Sequence, residues 1–114
     1  MLSPLVFYKA LADDTRLKCL LLITQQQELC VCELMTALEQ SQPKISRHLA
    51  QLRNANVLQD RRSGQWVFYS LHPELPAWAH QVLQQTLLAN QSYLAHCQQQ
   101  LTLLSQRPAE QSCC

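Results

Sequence analysis

The chain carries one glycine, Gly64, in 114 residues. Glycine enters left-handed backbone at little steric cost, and tight turns draw on it heavily. A chain with a single glycine is held to helices with few sharp turns, and any tight hairpin belongs at that glycine. The β-prone run "VLQDRRSGQWVFYSL" (57–71) flanks it. Its strands are expected over 57–61 and 66–71, with Gly64 in the turn.

The remainder reads as helix. "PLVFYKALAD" (4–13) gives a first short helix. A second (13–23) opens on Asp13, Asp14 and Thr15, good N-terminal residues, and turns Leu17, Leu20 and Leu21 inward. Cys19 is read as a packing residue of that helix. The polar "TQQQE" (24–28) is the expected connection to a third helix over 30–40, with Val31, Leu34 and Leu38 at helical spacing. A fourth helix (41–57) begins at Ser41 or Gln42, since Pro43 is tolerated only in a first turn. Its Ile45, Leu49 and Leu52 point inward, and His48 flanks that face.

From Leu75 to Gln106 there is no Asp, Glu, Lys or Arg. Trp78, Val82, Leu87, Leu94, Cys97, Leu101 and Leu104 form an apolar stripe on what reads as one long helix, about 73–105. Such a stripe has to be covered, and a second copy of the chain covers it most simply, so a homodimer is expected. Residues 1–106 are expected to form one domain, and 107–114, ending in Cys113 and Cys114, a disordered tail. No run of about 18 apolar residues is present and the N-terminus lacks a secretory pattern. A cytoplasmic protein with no membrane role is therefore expected.

Charge is unevenly spread. Residues 40–66 hold Lys44, Arg47, Arg53, Arg61 and Arg62 against Asp60 alone, a net +4, while the rest of the chain nets −3. A local basic patch of this kind is the footprint of a nucleic-acid contact. It coincides with the third and fourth helices, which read as helix-turn-helix, followed by the hairpin as a wing. In that arrangement the second helix enters the major groove of duplex DNA. Gln42, Lys44, Ser46 and Arg47 lie on its exposed N-terminal half. Arg and Lys suit guanine or phosphate, and Gln suits adenine. Arg61 and Arg62 of the wing are expected to touch backbone or minor groove. No cofactor is expected for DNA binding, and no catalytic residues are assigned.

Six cysteines stand at 19, 30, 32, 97, 113 and 114. In a reducing compartment clustered thiols bind metal or react more often than they crosslink. "ELCVCELM" (28–35) places Cys30 and Cys32 one residue apart at the start of the third helix, where a dipole favours thiolate. On a regular helix positions i and i+2 point to different sides. To grip one ion, residues 30–32 would have to leave helical geometry. That break is the expected switch, since the third helix braces the recognition helix.

"ALADDTRL" (10–17), "ELCVCEL" (28–34) and "SQPKISRHLAQLRNANVLQDRRSGQWVFYSL" (41–71) together resemble the ArsR/SmtB family of bacterial metal-sensing repressors, and most closely its arsenic-responsive branch. The resemblance spans about residues 4–80. It implies a winged-helix homodimer on operator DNA, released when trivalent arsenic or antimony binds thiolates near the start of the third helix. Cys30 and Cys32 carry that role over. The branch commonly has a third cysteine where this chain has Met35, a poorer ligand. Water, an exogenous thiol, or Cys113 or Cys114 are the alternatives for the third position. Cadmium and lead sensors of the family share the CVC motif but add N-terminal cysteines, absent here. Zinc sensors use carboxylates beside histidines on the last helix. His80 and His96 have none beside them. The competing readings are a winged-helix repressor sensing cadmium, lead or thiol oxidation, and a thiol-redox protein that does not bind DNA.

Overall fold

The computed structural model describes residues 2–106, in the order α1 (Pro4–Leu11), α2 (Asp14–Gln26), β1 (Glu28–Cys30), α3 (Val31–Leu38), α4 (Gln42–Asn54), β2 (Leu58–Ser63), β3 (Trp66–Leu71), α5 (Ala77–Ala89) and α6 (Gln91–Ser105). The fold is mainly helical with a β-hairpin wing, a winged helix-turn-helix, as the sequence implied. The expectation for 107–114 concerns residues outside the described ones.

Three helices start where side-chain caps allow. Ser3 accepts from the Val6 amide, Asp13 from the Arg16 amide and Ser41 from the Lys44 amide. Each satisfies an orphan donor of the first turn. Their ends show the cost of scarce glycine. Gln27 (φ 75°) and Glu39 (φ 55°) cap α2 and α3 with positive φ, and Asn56 (φ 61°) follows α4. These are positions glycine would occupy with less strain. The only glycine sits in the two-residue turn of the β2–β3 hairpin, with φ +62°.

Four elements differ from expectation. α2 runs through the polar segment to Gln26, because Thr24 returns its hydroxyl to the Leu20 carbonyl and glutamine is a good helix former. Residues 28–30 are a strand, β1, pairing antiparallel with β3 (Glu28↔Ser70, Leu29↔Tyr69, Cys30↔Phe68), so the sheet has order β1-β3-β2. α4 ends at Asn54, and Val57 already bonds His72 on the way into β2. The expected single terminal helix is two. It breaks at Asn90 (φ −132°, ψ 45°), after which α6 returns to pack on α3 and α2.

That return changes where the apolar stripe goes. Its Leu87, Leu94, Cys97 and Leu104 are buried within the single chain, as is Leu83, in or beside a core of Phe7, Leu20 to Ile23, Leu34, Ile45, Leu49 and Leu52. Most of the stripe thus needs no second copy. Two polar ties fix α6: the Tyr93 hydroxyl donates to Asp14 of α2, and His96 meets Glu39 at the end of α3 at 2.9 Å.

Candidate functional site

The site is built where β1 becomes α3. Strand pairing to β3 holds Cys30 in extended backbone (φ −87°, ψ 164°), so it is the N-cap residue and not a residue of the helix. Its amide donates to the Glu33 carboxylate at 2.9 Å, half of a capping box. Cys32 lies one residue into the helix. Because only one of the two is helical, their Sγ atoms come within 3.6 Å, a contact too long for an S–S bond between them. With metal–sulfur bonds of about 2.3 Å, that separation subtends an angle of about 100° at one shared ion. The expected unwinding of α3 is therefore not required. The break is already in place, made by β1. Among the described residues no group of three His, Cys, Asp or Glu side chains is arranged around one point.

The cysteine pair opens onto a cleft of about 450 Å³. Its walls are α3 (Met35), the recognition helix α4 (Gln42, Ser46, Arg53) and the wing (Arg62, Trp66). Met35, which takes the third thiol's place in the motif, does face the same cleft. Arg53 at the end of α4 reaches Asp60 of β2 at 3.2 Å and joins recognition helix to wing. A group bound at the thiols would thus lie against both elements expected to touch DNA.

The DNA candidates divide. Gln42 and Arg47 are exposed, and Lys44 and Ser46 half-buried, on the N-terminal half of α4. The Gln42 amide donates to Ser46 Oγ at 2.7 Å, so these two act as one polar unit. Lys44 and Arg47 lie further round the helix. His48 is buried, as the Leu49 side of the helix implied. Its Nδ1 lies 3.8 Å from the Asp13 carboxylate and has no hydrogen-bond partner among the described residues. Arg61 and Arg62 do not act together. A strand sends successive side chains to opposite faces. Arg62 lines the cleft, while Arg61 lies on the other face and binds Glu28 through both carboxylate oxygens at 2.7 and 2.8 Å. Those bonds hold the Glu28 carboxyl below its ordinary value. Alternation along β2 was readable from the sequence. The partner 33 residues upstream was not.

Cys19 and Cys97 are both buried. Burial pushes the Cys19 thiol up to about 12 and raises Cys97 as well, so neither is suited to thiolate chemistry at neutral pH. The packing role expected for Cys19 fits this.

Comparison with known proteins adds four findings. Residues 13–60 match the family described as bacterial regulatory protein, arsR family. The whole chain is 54% identical over 114 residues to the arsenic resistance transcriptional regulator ArsR2 of Pseudomonas putida, covering 99% of that protein. It is 56% identical over 82 residues to the arsenical resistance operon repressor of Escherichia coli, covering 72% of this chain and 70% of that one. Among solved structures it is similar to the AntR antimony-specific transcriptional repressor, with TM-score 0.65 and 26% identity over 77% of each chain.

Proposed function

Because the chain belongs to the arsR family of bacterial regulatory proteins, we propose that it is a transcriptional repressor of arsenic resistance, released from operator DNA by trivalent arsenic or antimony at Cys30 and Cys32. The observation that carries this reading is the 3.6 Å approach of the two sulfurs at the mouth of a cleft walled by α4 and the wing. Soft trivalent ions favour sulfur ligands. One that binds both thiolates becomes a fixed body at the base of the cleft.

What the chain's own residues then do follows from the packing. Cys30 caps α3, so any shift of its sulfur moves the capping box and the first turn of α3. α3 packs against α4, and Arg53–Asp60 ties the end of α4 to the wing. A displaced α3 therefore changes the attitude of both DNA-facing elements. Coupling between two such sites is typically about 1–3 kcal/mol, or roughly 5–150-fold in affinity. DNA contact is assigned to Gln42, Lys44, Ser46 and Arg47 of α4 and to Arg62 of the wing. Operator binding itself needs no cofactor.

Assembly as a homodimer through the terminal helices is part of the proposal. Leu5 and Tyr8 of α1 and Leu88 of α5 are 64%, 51% and 66% exposed, unusual for large apolar side chains. α1 is seated on α5 through Phe7, whose ring meets Trp78 edge-on at 5.2 Å, and Tyr8 lies beside it. Exposed apolar side chains thus lie on both helices. No helix among the described residues is long and apolar enough to cross a membrane.

The test is operator release. DNA from upstream of the protein's own gene is titrated with protein, then with arsenite, antimonite and cadmium separately. Arsenite or antimonite should release the parent. Cys30→Ser and Cys32→Ser should bind DNA normally and ignore both. Release by cadmium alone would select the cadmium/lead reading. A double Cys30→Ser, Cys32→Ser variant that still leaves DNA with arsenite would refute the site. Arg47→Ala should weaken operator binding by about 1–3 kcal/mol if it reads a base through both guanidinium nitrogens.

A further inference from the structure

We propose that Glu28 and Arg61 form a clamp across the sheet that carries the inducer event at Cys30 to the wing, making Arg61 a positioning residue and not a DNA ligand. The inference rests on the proposed function and deepens its regulation.

β1 is three residues long, pairs with β3 alone, and ends on the ligand Cys30. β2 carries the wing's Arg62 and pairs with β3 from the other side, so the strand with the thiol and the strand with the wing charge share no backbone hydrogen bond. Their direct link is through side chains. Arg61 Nε and Nη2 donate to the two Glu28 carboxylate oxygens at 2.8 and 2.7 Å, a fork-to-fork pair of good geometry. The guanidinium lies over the Phe68 ring, 4.6 Å from its centroid. Phe68 is the register partner of both Cys30 and Arg61. In backbone register Cys30, Phe68 and Arg61 are aligned across the three strands, and Glu28 reaches Arg61 diagonally.

The next residue along β2 completes the route. Asp60 points to the opposite face and holds Arg53 of α4. A displacement of β1 at Cys30 reaches β2 through its backbone pairing with β3 and through the clamp at Glu28. From there it passes to the recognition helix through Asp60 and Arg53, and to DNA through Arg62. Exposed ion pairs contribute little to stability, so the clamp's role lies in transmission more than in holding the fold.

The measurement is operator affinity with and without arsenite for the parent, Glu28→Gln, Arg61→Gln, the double variant, and the charge exchange Glu28→Arg with Arg61→Glu. Arsenite uptake is followed separately by counting thiols protected per chain. Arsenite-free affinity of both single variants should stay within about twofold of the parent, and thiol protection should be unchanged. The arsenite-induced loss of affinity should shrink at least fivefold in each single variant, no further in the double, and return in the charge exchange. Single variants that release DNA as the parent does would overturn the clamp alone. So would an Arg61→Gln that binds arsenite-free DNA at least fivefold more weakly with a salt slope reduced by about one, while Glu28→Gln does not, since that is the signature of a phosphate contact. A parent that binds operator and is not released by arsenite or antimonite would remove the proposed function and the clamp with it.

Discussion

Arg16 is the residue whose loss the structure lets us scale most directly. It sits in the first turn of α2, and its guanidinium reaches two other helices. Nε donates to the Ala10 carbonyl at 2.8 Å, Nη2 to the Lys9 carbonyl at 3.2 Å, and Nη1 to Gln51 of the recognition helix at 2.9 Å. Arg16→Met keeps the aliphatic stem and removes all three. The Ala10 carbonyl is at the C-terminus of α1 and part-buried, so its bond to a charged donor should be worth about 1.5–2 kcal/mol. The other two are exposed, and Lys9 O already accepts from the Ala12 amide, so a few tenths of a kcal/mol each is a fair scale. The total is about 2 kcal/mol, or a fall of about 8 °C in Tm for a chain of this size. Calorimetry of parent and variant at equal concentration reads it. Arg16→Lys should recover less than half, because one ammonium cannot span acceptors on α1 and α4 together. A drop under 2 °C for Arg16→Met would show that water replaces the guanidinium at no cost, and would refute this estimate.

Other outcomes follow from single features of the fold. Gln27→Gly should stabilise by about 0.5–1 kcal/mol in denaturant unfolding, because it relieves a positive φ at the end of α2; a loss of stability would mean the glutamine side chain matters more than its backbone. Cys19, pushed up to about 12 by burial, should escape native-state alkylation at pH 8 as read by peptide mass mapping, and labelling at the rate of an exposed thiol would contradict its packing role. The Tyr93 hydroxyl depresses Asp14, so the stability it contributes is present above the unfolded aspartate value near 3.8 and lost as pH falls through the folded value; Tyr93→Phe should therefore differ most from the parent at neutral pH and converge with it in acid. Tyr8→Asp should move the sedimentation coefficient from dimer to monomer with the helical signal retained, and an unchanged dimer would place the interface elsewhere.

Much of this protein follows from local chemistry that a sequence displays. Caps at Asp13 and Ser41, Pro43 in a first turn and one glycine between two β-prone runs determine where α2, α4 and the wing begin and turn. The Ile45, Leu49 and Leu52 spacing determines which face of α4 is buried, leaving Gln42, Lys44, Ser46 and Arg47 on the outer part. These are interactions within a few residues, so the order of residues carries them. The remainder rests on contacts that close over long distances. "ELC" has no strand pattern of its own and is extended because β3, some 40 residues later, pairs with it. The stretch through Asn90 has no helix breaker, and it bends because α6 finds partners on α3 and α2 that a straight helix could not reach. The two thiols follow the same rule. Their spacing marked them as a site, but on a helix they would diverge. Cys30 stands at ψ 164° as the extended N-cap of α3 and is held there by pairing with β3, and that backbone turns the sulfurs toward one another.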